Sequence, residues 1–291
     1  MSAMKQKCPK CSSDHNSHTK SGYFIRQSDK RKFQRYKCRV CKKSFSSATF
    51  NMCYKQKKRK LNQRIFELLC SGVSMRRIAK LLKISRTTVS RKFLFLAHHA
   101  RINNLKLLNS SSIVLDLQFD DLETFEHTKL KPISVIMAVE NKSRRILGHK
   151  ANQMPAKGHL SKTAKKKYGY REDHRQIGRE ELFEQIKDKI HPEAIITSDN
   201  NPHYPKTVKK YFPNSTHKTT PGRRGCVTGQ GELKEGGYDP LFTLNHTFAM
   251  LRANINRLVR KTWCTTKKIE RLSDHIDLYI QYHNERIIKS K

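Results

Sequence analysis

Acidic residues are scarce in this sequence. Against 61 Lys and Arg stand only 24 Asp and Glu in 291 residues, a formal net charge of +37. A compact chain with that surplus repels itself, and the usual resolution is a polyanionic partner whose counterions are released on binding. Long apolar runs are also missing. None approaches the roughly 20 residues that cross a bilayer, and the N-terminal MSAMKQKCPK has no apolar core of the kind a secretory signal carries. These absences argue against a membrane as the polyanion, so a soluble, intracellular chain is expected. Without an export signal, the eight cysteines are expected as reduced thiols or metal ligands, not as a disulfide framework. Internal repeats are lacking too.

What is there falls into three stretches. The first sixty residues hold eighteen Lys or Arg and two acids, with little apolar periodicity, and cannot bury a core unaided. From about Leu61 to Leu96 the pattern turns helical. From about Ile113 it turns strand-like, with the runs IVLDLQF, PISVIMAV and AIITSD. The boundaries read are 1–55, 56–108 and 109–291. Within the last, residues 152–178 form a basic insertion without apolar period, expected to be a mobile loop. A Gly-rich stretch, PGRRGCVTGQGELKEGG, precedes two amphipathic helices from Pro240 onward.

Cys8 and Cys11 close the motif CPKC, Cys38 and Cys41 close CRVC, and 26 residues separate the pairs. Two such knuckles let four thiolates surround Zn²⁺ and replace the missing core, as in a zinc ribbon. The gap exceeds the usual ribbon spacing, and a hairpin through RYKC absorbs the difference. Unligated cysteines paired by accident are the bland alternative, and His15, His18 and Cys53 are substitute ligands of lower rank.

The stretch VSMRRIAKLLKISRTTVSRKF places Ser74 as an N-cap, Ile78, Ala79 and Leu82 on one face, a break at Lys83 and Ile84, and a second cap at Ser85. Val89 and Phe93 continue the apolar face. Arg86, Thr87, Ser90 and Arg91 are left exposed on the second helix, where they could reach bases and phosphates in a major groove as a helix-turn-helix does. A helical hairpin used only for packing or dimerisation is the alternative.

Alternation in SIVLDLQFDDLETF sets Leu115, Leu117 and Phe119 opposite Asp116, Gln118 and Asp120, so that Asp120 ends a buried strand. Asp199 closes AIITSDN in the same way. Two carboxylates on neighbouring strand ends can bind Mg²⁺ or Mn²⁺ through oxygen. Either Asp alone could simply start a turn.

The order of ribbon, helix-turn-helix, two strand Asp residues and a basic terminal helix resembles the bacterial insertion-sequence transposases of the DDE type. The sharpest local match is LNHTFAMLRANINRLVRKTWCTTKK. It looks like the family's terminal helix, in which an acid is followed seven positions later by Arg and then by an RL.RKT.C pattern, here Arg252, then Arg257, Leu258, Arg260, Lys261, Thr262 and Cys264. FDDLETF resembles the segment of the first family Asp, giving Asp120 with Asp121 as its acidic neighbour, and TSDNNPHY the second, giving Asp199. Asn245 stands where the third acid is expected, and some transposases of this general type carry Asn there. An amide oxygen can coordinate a hard cation without adding charge; capping the helix is the other role open to Asn245.

The resemblance implies an α/β chain whose ribonuclease H-like mixed-sheet catalytic core follows a zinc ribbon and a helix-turn-helix. It implies a transposase that binds double-stranded DNA at element ends and target, as a homo-oligomer in the bacterial cytoplasm. Cleavage and strand transfer would depend on two Mg²⁺ or Mn²⁺ ions at Asp120, Asp199 and Asn245. Arg252, Arg260, Lys261 and the basic residues Lys165 to Lys167 are suited to backbone phosphates. Trp263 could stack on a base or simply pack. Two other readings remain: a catalytically inactive transposase-derived DNA-binding regulator, and a ribonuclease or junction nuclease on the same fold.

Overall fold

The computed structural model describes residues 7–27, 29–221, 239–259 and 264–288. The chain divides into two compact units, residues 1–63 and 64–291.

The smaller unit is a three-stranded antiparallel sheet, β1 (His18–Ile25), β2 (Lys32–Cys38) and β3 (Ser44–Ser46), in that order. The long gap between the cysteine pairs is thus a hairpin, with Cys38 at the end of β2. Each knuckle turns by the same device. The residue after its second cysteine takes a left-handed backbone, Ser12 at φ 56° and Lys42 at φ 59°. That reversal lets Cys8 N–H reach Ser13 O at 2.9 Å and Cys38 N–H reach Lys43 O at 3.0 Å. The unit's buried apolar cluster is Cys8, Cys38 and Phe45, with Tyr36 and Cys41 against them. Asp29, one of the two acids in the first sixty residues, ties Arg26 (2.7 Å) and Arg59 together, and the Arg26 bond holds its carboxyl below the usual range.

The larger unit is built on a five-stranded mixed sheet. Its strands are β4 (Val114–Phe125), β5 (Pro132–Glu140), β6 (Ile146–Gln153), β7 (Ile190–Asp199) and β8 (Thr216–Thr220), in the order β6-β5-β4-β7-β8. The β4–β5 and β5–β6 pairs are antiparallel, and β4, β7 and β8 run parallel. This is the ribonuclease H-like arrangement.

The seven interior residues of β5 are all buried, because helices cover both faces of the sheet. On one face α5 (Arg175–Ile186) and α6 (Tyr204–Tyr211) bring Leu182, Phe183, Ile186, Tyr204 and Val208 onto Leu117, Phe119 and Ile196. The other face carries α7 (Phe242–Asn254) and α8 (Ile269–Tyr282). Gln118 points that way: its Oε1 accepts from Leu244 N at 3.0 Å, and its Nε2 donates to Pro240 O at 2.8 Å. The stripe Leu244, Phe248, Leu251, Ile255 and Leu258 is buried throughout, although the α-helix stops at Asn254.

Ahead of the sheet come α1 (Asn62–Leu69), α2 (Met75–Leu81) and α3 (Arg86–Ser110). Ser74 and Ser85 cap α2 and α3, accepting from Arg77 N at 3.3 Å and Thr88 N at 3.1 Å. At 25 residues α3 is about 37 Å long. Its first turns complete the α2–α3 pair, and its remainder packs on α8, where Arg101 meets Asp277 at 2.8 Å and Asp274 at 3.0 Å.

Three expectations need correction. The strand holding Asp120 does not end there. It continues in antiparallel pairing with β5 as far as Phe125, so Asp120 lies mid-strand opposite Met137. Leu115 is not on a buried face: it is 62% exposed, because the β4–β7 register slips between Val114 and Asp116. The insertion at 152–178 is not a structureless loop, since Leu160–Tyr168 forms α4 and α5 begins at Arg175. Helix α4 is rich in Lys and buries only Ala164, so good helix formers build it without an apolar stripe.

Candidate active site

Parallel pairing of β4 with β7 matches Gln118 to Thr197. Two residues further along both strands, the same register sets Asp120 beside Asp199, the last residue of β7. The alternation of β4 turns Asp120 and Asp121 to opposite sides, and one side chain gathers both. Tyr204, fully buried at the start of α6, donates its hydroxyl to Asp120 Oδ1 at 3.0 Å and to Asp121 Oδ2 at 2.8 Å. Asp121 N–H also reaches Asp120 Oδ1 at 2.7 Å, and Ser134 Oγ donates to Asp121 Oδ1 at 2.5 Å. Asp199 Oδ1 accepts from Asn201 N at 3.2 Å.

The consequence is a division of labour among oxygens. Both oxygens of Asp121 have hydroxyl donors, whereas Asp120 Oδ2 and Asp199 Oδ2 have no hydrogen-bond donor among the described residues. Burial, then the charge of Asp199 and that of Asp121, pushes the Asp120 carboxyl up to about 7. Burial also raises Asp199. Tyr204 is raised by its burial and then by the surrounding carboxylates, and so stays a protonated donor. An Asp held that far above its ordinary range costs about 4 kcal/mol in its ionised form. Asn would avoid that cost, and carboxylates raised by burial and by one another are common at functional sites. Hard divalent cations bind such paired oxygens, and the two free ones fit that role.

Asn245 is the fourth residue of α7, with its backbone N–H bonded to Leu241 O at 2.9 Å, and so does not cap the helix. Its exposed amide donates to Asp239 Oδ2 at 2.9 Å. Leu241 N–H donates to Asp239 Oδ1 at 2.9 Å. Asp239, which the sequence leaves in a Gly-rich stretch with no helix to fix it, is therefore tied to the first turn of α7. Glu232 and Glu235, which with Asp239 are the candidate replacements for a third acid in that stretch, lie outside the described residues, as do Arg260, Lys261, Thr262 and Trp263. Arg252 is half-buried in the last turn of α7, and Arg257 is turned inward over the Phe93 ring at 5.5 Å.

Beside Asp121 a small cavity of about 160 Å³ is lined by Arg175, Arg179, Asn201 and His203. Arg179, 4% exposed, lies over the Tyr204 ring at 5.1 Å and donates from Nε to Thr207 at 3.1 Å. Sequence reasoning missed Tyr204, Ser134 and Arg179. Only Tyr204 left a trace, five residues after Asp199 in TSDNNPHY.

On α3, Arg86, Thr87 and Arg91 are exposed and Ser90 is half-buried, while Val89 and Phe93 are buried beneath them. In the small unit the sulfurs of Cys8, Cys11, Cys38 and Cys41 lie within 4.8 Å of one another. Cys8–Cys41 and Cys11–Cys38 are 3.5 and 3.6 Å apart, against about 3.8 Å for the edge of a tetrahedron with 2.3 Å Zn–S bonds. His15, His18 and Cys53 are not in that group; His18 packs edge-on to Phe45, and Cys53 takes a hydrogen bond from Asn62.

No protein-family model and no curated protein matches the chain. Among the solved structures that overlap it weakly are two transposase structures. One, titled as the catalytic domain of Mos1 mariner transposase, is 13% identical and covers 69% of this chain and 93% of its own, with a TM-score of 0.24. The other, titled as a pre-cleavage Mos1 transpososome, is 12% identical and covers 81% of this chain and 80% of its own, with a TM-score of 0.20. Scores this low establish no kinship.

Proposed function

We propose that this chain is a DNA transposase of the bacterial insertion-sequence type, which binds element ends and cleaves and joins DNA strands with divalent-metal help. The observation that carries the reading is the juxtaposition of Asp120 and Asp199 on the adjoining strands β4 and β7, each with an oxygen that takes no hydrogen bond among the described residues. In a chain of net charge +37, carboxylates kept at such a place have a cation and a phosphate as their natural occupants.

Asp120, Asp199 and the Asn245 amide oxygen would hold Mg²⁺ or Mn²⁺. When bound, such ions supply Lewis-acid stabilisation to the attacked phosphate and the leaving 3′-oxygen. Tyr204 keeps the Asp120 oxygen aimed, and Asp121, fully supplied with donors, serves as the anchor. Arg252, with Arg260 and Lys261 of the terminal segment, would grip backbone phosphates. Arg86, Thr87, Ser90 and Arg91 would read the element end in a major groove, and Zn²⁺ in the four-thiol cluster would hold the small unit in shape. DNA-bound oligomerisation and a bacterial cytoplasmic setting belong to the same proposal.

A nicking and strand-transfer assay on cognate ends in Mg²⁺ tests it. Asp120→Asn and Asp199→Asn are expected to abolish both activities while end binding survives; undiminished cleavage in either variant overturns the enzymatic reading. One observation favours a second reading, an inactive DNA-binding regulator: the Asn245 amide is turned onto Asp239. That reading predicts no cleavage by the wild type, and cleavage on restoring a carboxylate with Asn245→Glu.

A further inference from the structure

The insertion between β6 and α5 holds a cavity that the cutting site does not use. Its volume is about 620 Å³, within the range of pockets that take small organic groups, and its wall includes Lys131, Lys165, Tyr168, Tyr170 and Arg171. Tyr170 is 80% exposed at the rim, although an aromatic ring ordinarily buries its faces. Tyr168 carries Lys131 over its ring at 4.6 Å and Lys167 at 5.6 Å. Lys165, Lys166 and Lys167 form the last turn of α4. The acid in the wall, Glu172, is turned onto His174 at 3.0 Å. Arg171 spans Glu126 and Pro132 O, each at 3.5 Å, while its buried Nε has no hydrogen-bond partner among the described residues.

The cavity is also well placed. Lys157 at the head of the insertion pairs with Glu123 at 2.6 Å, and Glu123 is three residues past Asp120 on β4. Arg171 at the other end meets Glu126, six residues past Asp120. The insertion therefore stands over the stretch of β4 that outruns β7, its two ion pairs falling about 10 and 20 Å along the strand from Asp120.

We infer that this cavity receives an unpaired DNA nucleotide several strand residues beyond the cutting site, with Tyr170 as the stacking platform for its base and Lys131 and Lys165 facing its phosphates. A duplex keeps its base faces stacked on one another and cannot use Tyr170, whereas every unpaired base has a face to offer. The inference rests on the DNA-processing reading above and names which form of DNA the insertion engages.

The test is fluorescence anisotropy of labelled dT12 and of a blunt 12-base-pair duplex with the full chain, without added divalent metal. Tyr170→Ala is expected to weaken dT12 binding about tenfold and leave duplex binding unchanged, and Tyr170→Trp to restore it. Equal weakening on both DNAs, or none on dT12, overturns the inference. Because Tyr170 is exposed, its replacement does not threaten the fold. Cleavage plays no part in this readout, so loss of the catalytic reading would show only in the Asp120 and Asp199 variants.

Discussion

The Tyr204 hydroxyl sits 3.0 Å from Asp120 Oδ1, donating a hydrogen bond from α6 to the middle of β4. It shares that proton with Asp121 at 2.8 Å. Tyr204→Phe keeps the ring against Phe119 and Arg179 but removes the donor. A hydrogen bond to a charged group contributes about 1.5–3 kcal/mol, so single-turnover cleavage should slow by roughly ten- to a hundredfold. The thermal midpoint should fall by a few degrees, because the same bonds are present in the resting fold. Unaltered cleavage would show that the carboxylate needs no such orientation.

Zn²⁺ held by the four thiols would be the main organiser of the small unit, whose buried cluster is a few side chains. Elemental analysis is expected to find one zinc per chain, lost in Cys38→Ser together with protease resistance of the first sixty residues. Strand content of residues 64–291 should persist, because that unit has its own core. Full protease resistance without metal would refute the zinc assignment.

On α3, Arg91→Ala removes an exposed side chain whose neighbours Val89 and Phe93 hold the helix in place. If Arg91 contacts a base edge, affinity for the element end should fall by about 1–3 kcal/mol at one position of the site, and sequence preference there should relax. A purely phosphate-bound Arg91 would instead weaken all sequences alike and flatten the salt dependence. Binding-site selection with wild type and variant separates the outcomes, and no effect of either kind would remove Arg91 from the DNA surface.

Acid should loosen the larger unit. His275, buried against Phe93 with Nε2 on Leu69 O at 2.9 Å, is pushed down to about 4 by its burial, and burial also lowers His149 and His283. Above pH of about 6.5 both folded and unfolded chains keep these rings neutral. Below it the unfolded chain takes up protons that the folded one refuses, so stability falls as pH drops from about 6.5 toward 4. His275 alone accounts for about 3 kcal/mol of that fall. Asp120, raised in the fold, works in the opposite sense. The measurement is therefore the difference in denaturant midpoints between wild type and His275→Gln at pH 7 and pH 4.5, which should narrow on acidification.

Features set by neighbours along the chain were the legible ones. Ser74 and Ser85 cap their helices because a hydroxyl reaches only two or three residues ahead. Asp120 and Asp199 could be singled out because each follows an apolar run. Their juxtaposition comes from the parallel register of β4 and β7, which no local pattern states. The extension of β4 beyond Asp120 was hidden by its polar letters, since antiparallel pairing with β5 holds DDLETF in the sheet regardless. In β6, ILGHKANQ, Gly, His and Lys obscure an edge strand that helices cover. Tyr204 left only its place five residues after Asp199, because its role depends on where the start of α6 falls against β4.

One helix connects the surface expected to read DNA with the body that holds the carboxylates. Helix α3 runs uninterrupted from Arg86 to Ser110, with its far half locked by Arg101 to α8. Such a rod is a ruler. The number of base pairs between the sequence recognised and the phosphate cut would be written into its length. One residue inserted into it would advance the reading end by about 1.5 Å and swing it by about 100°. Under the proposed function, the elements this protein mobilises should therefore keep a constant spacing between motif and cleavage point, even where the sequence between them drifts.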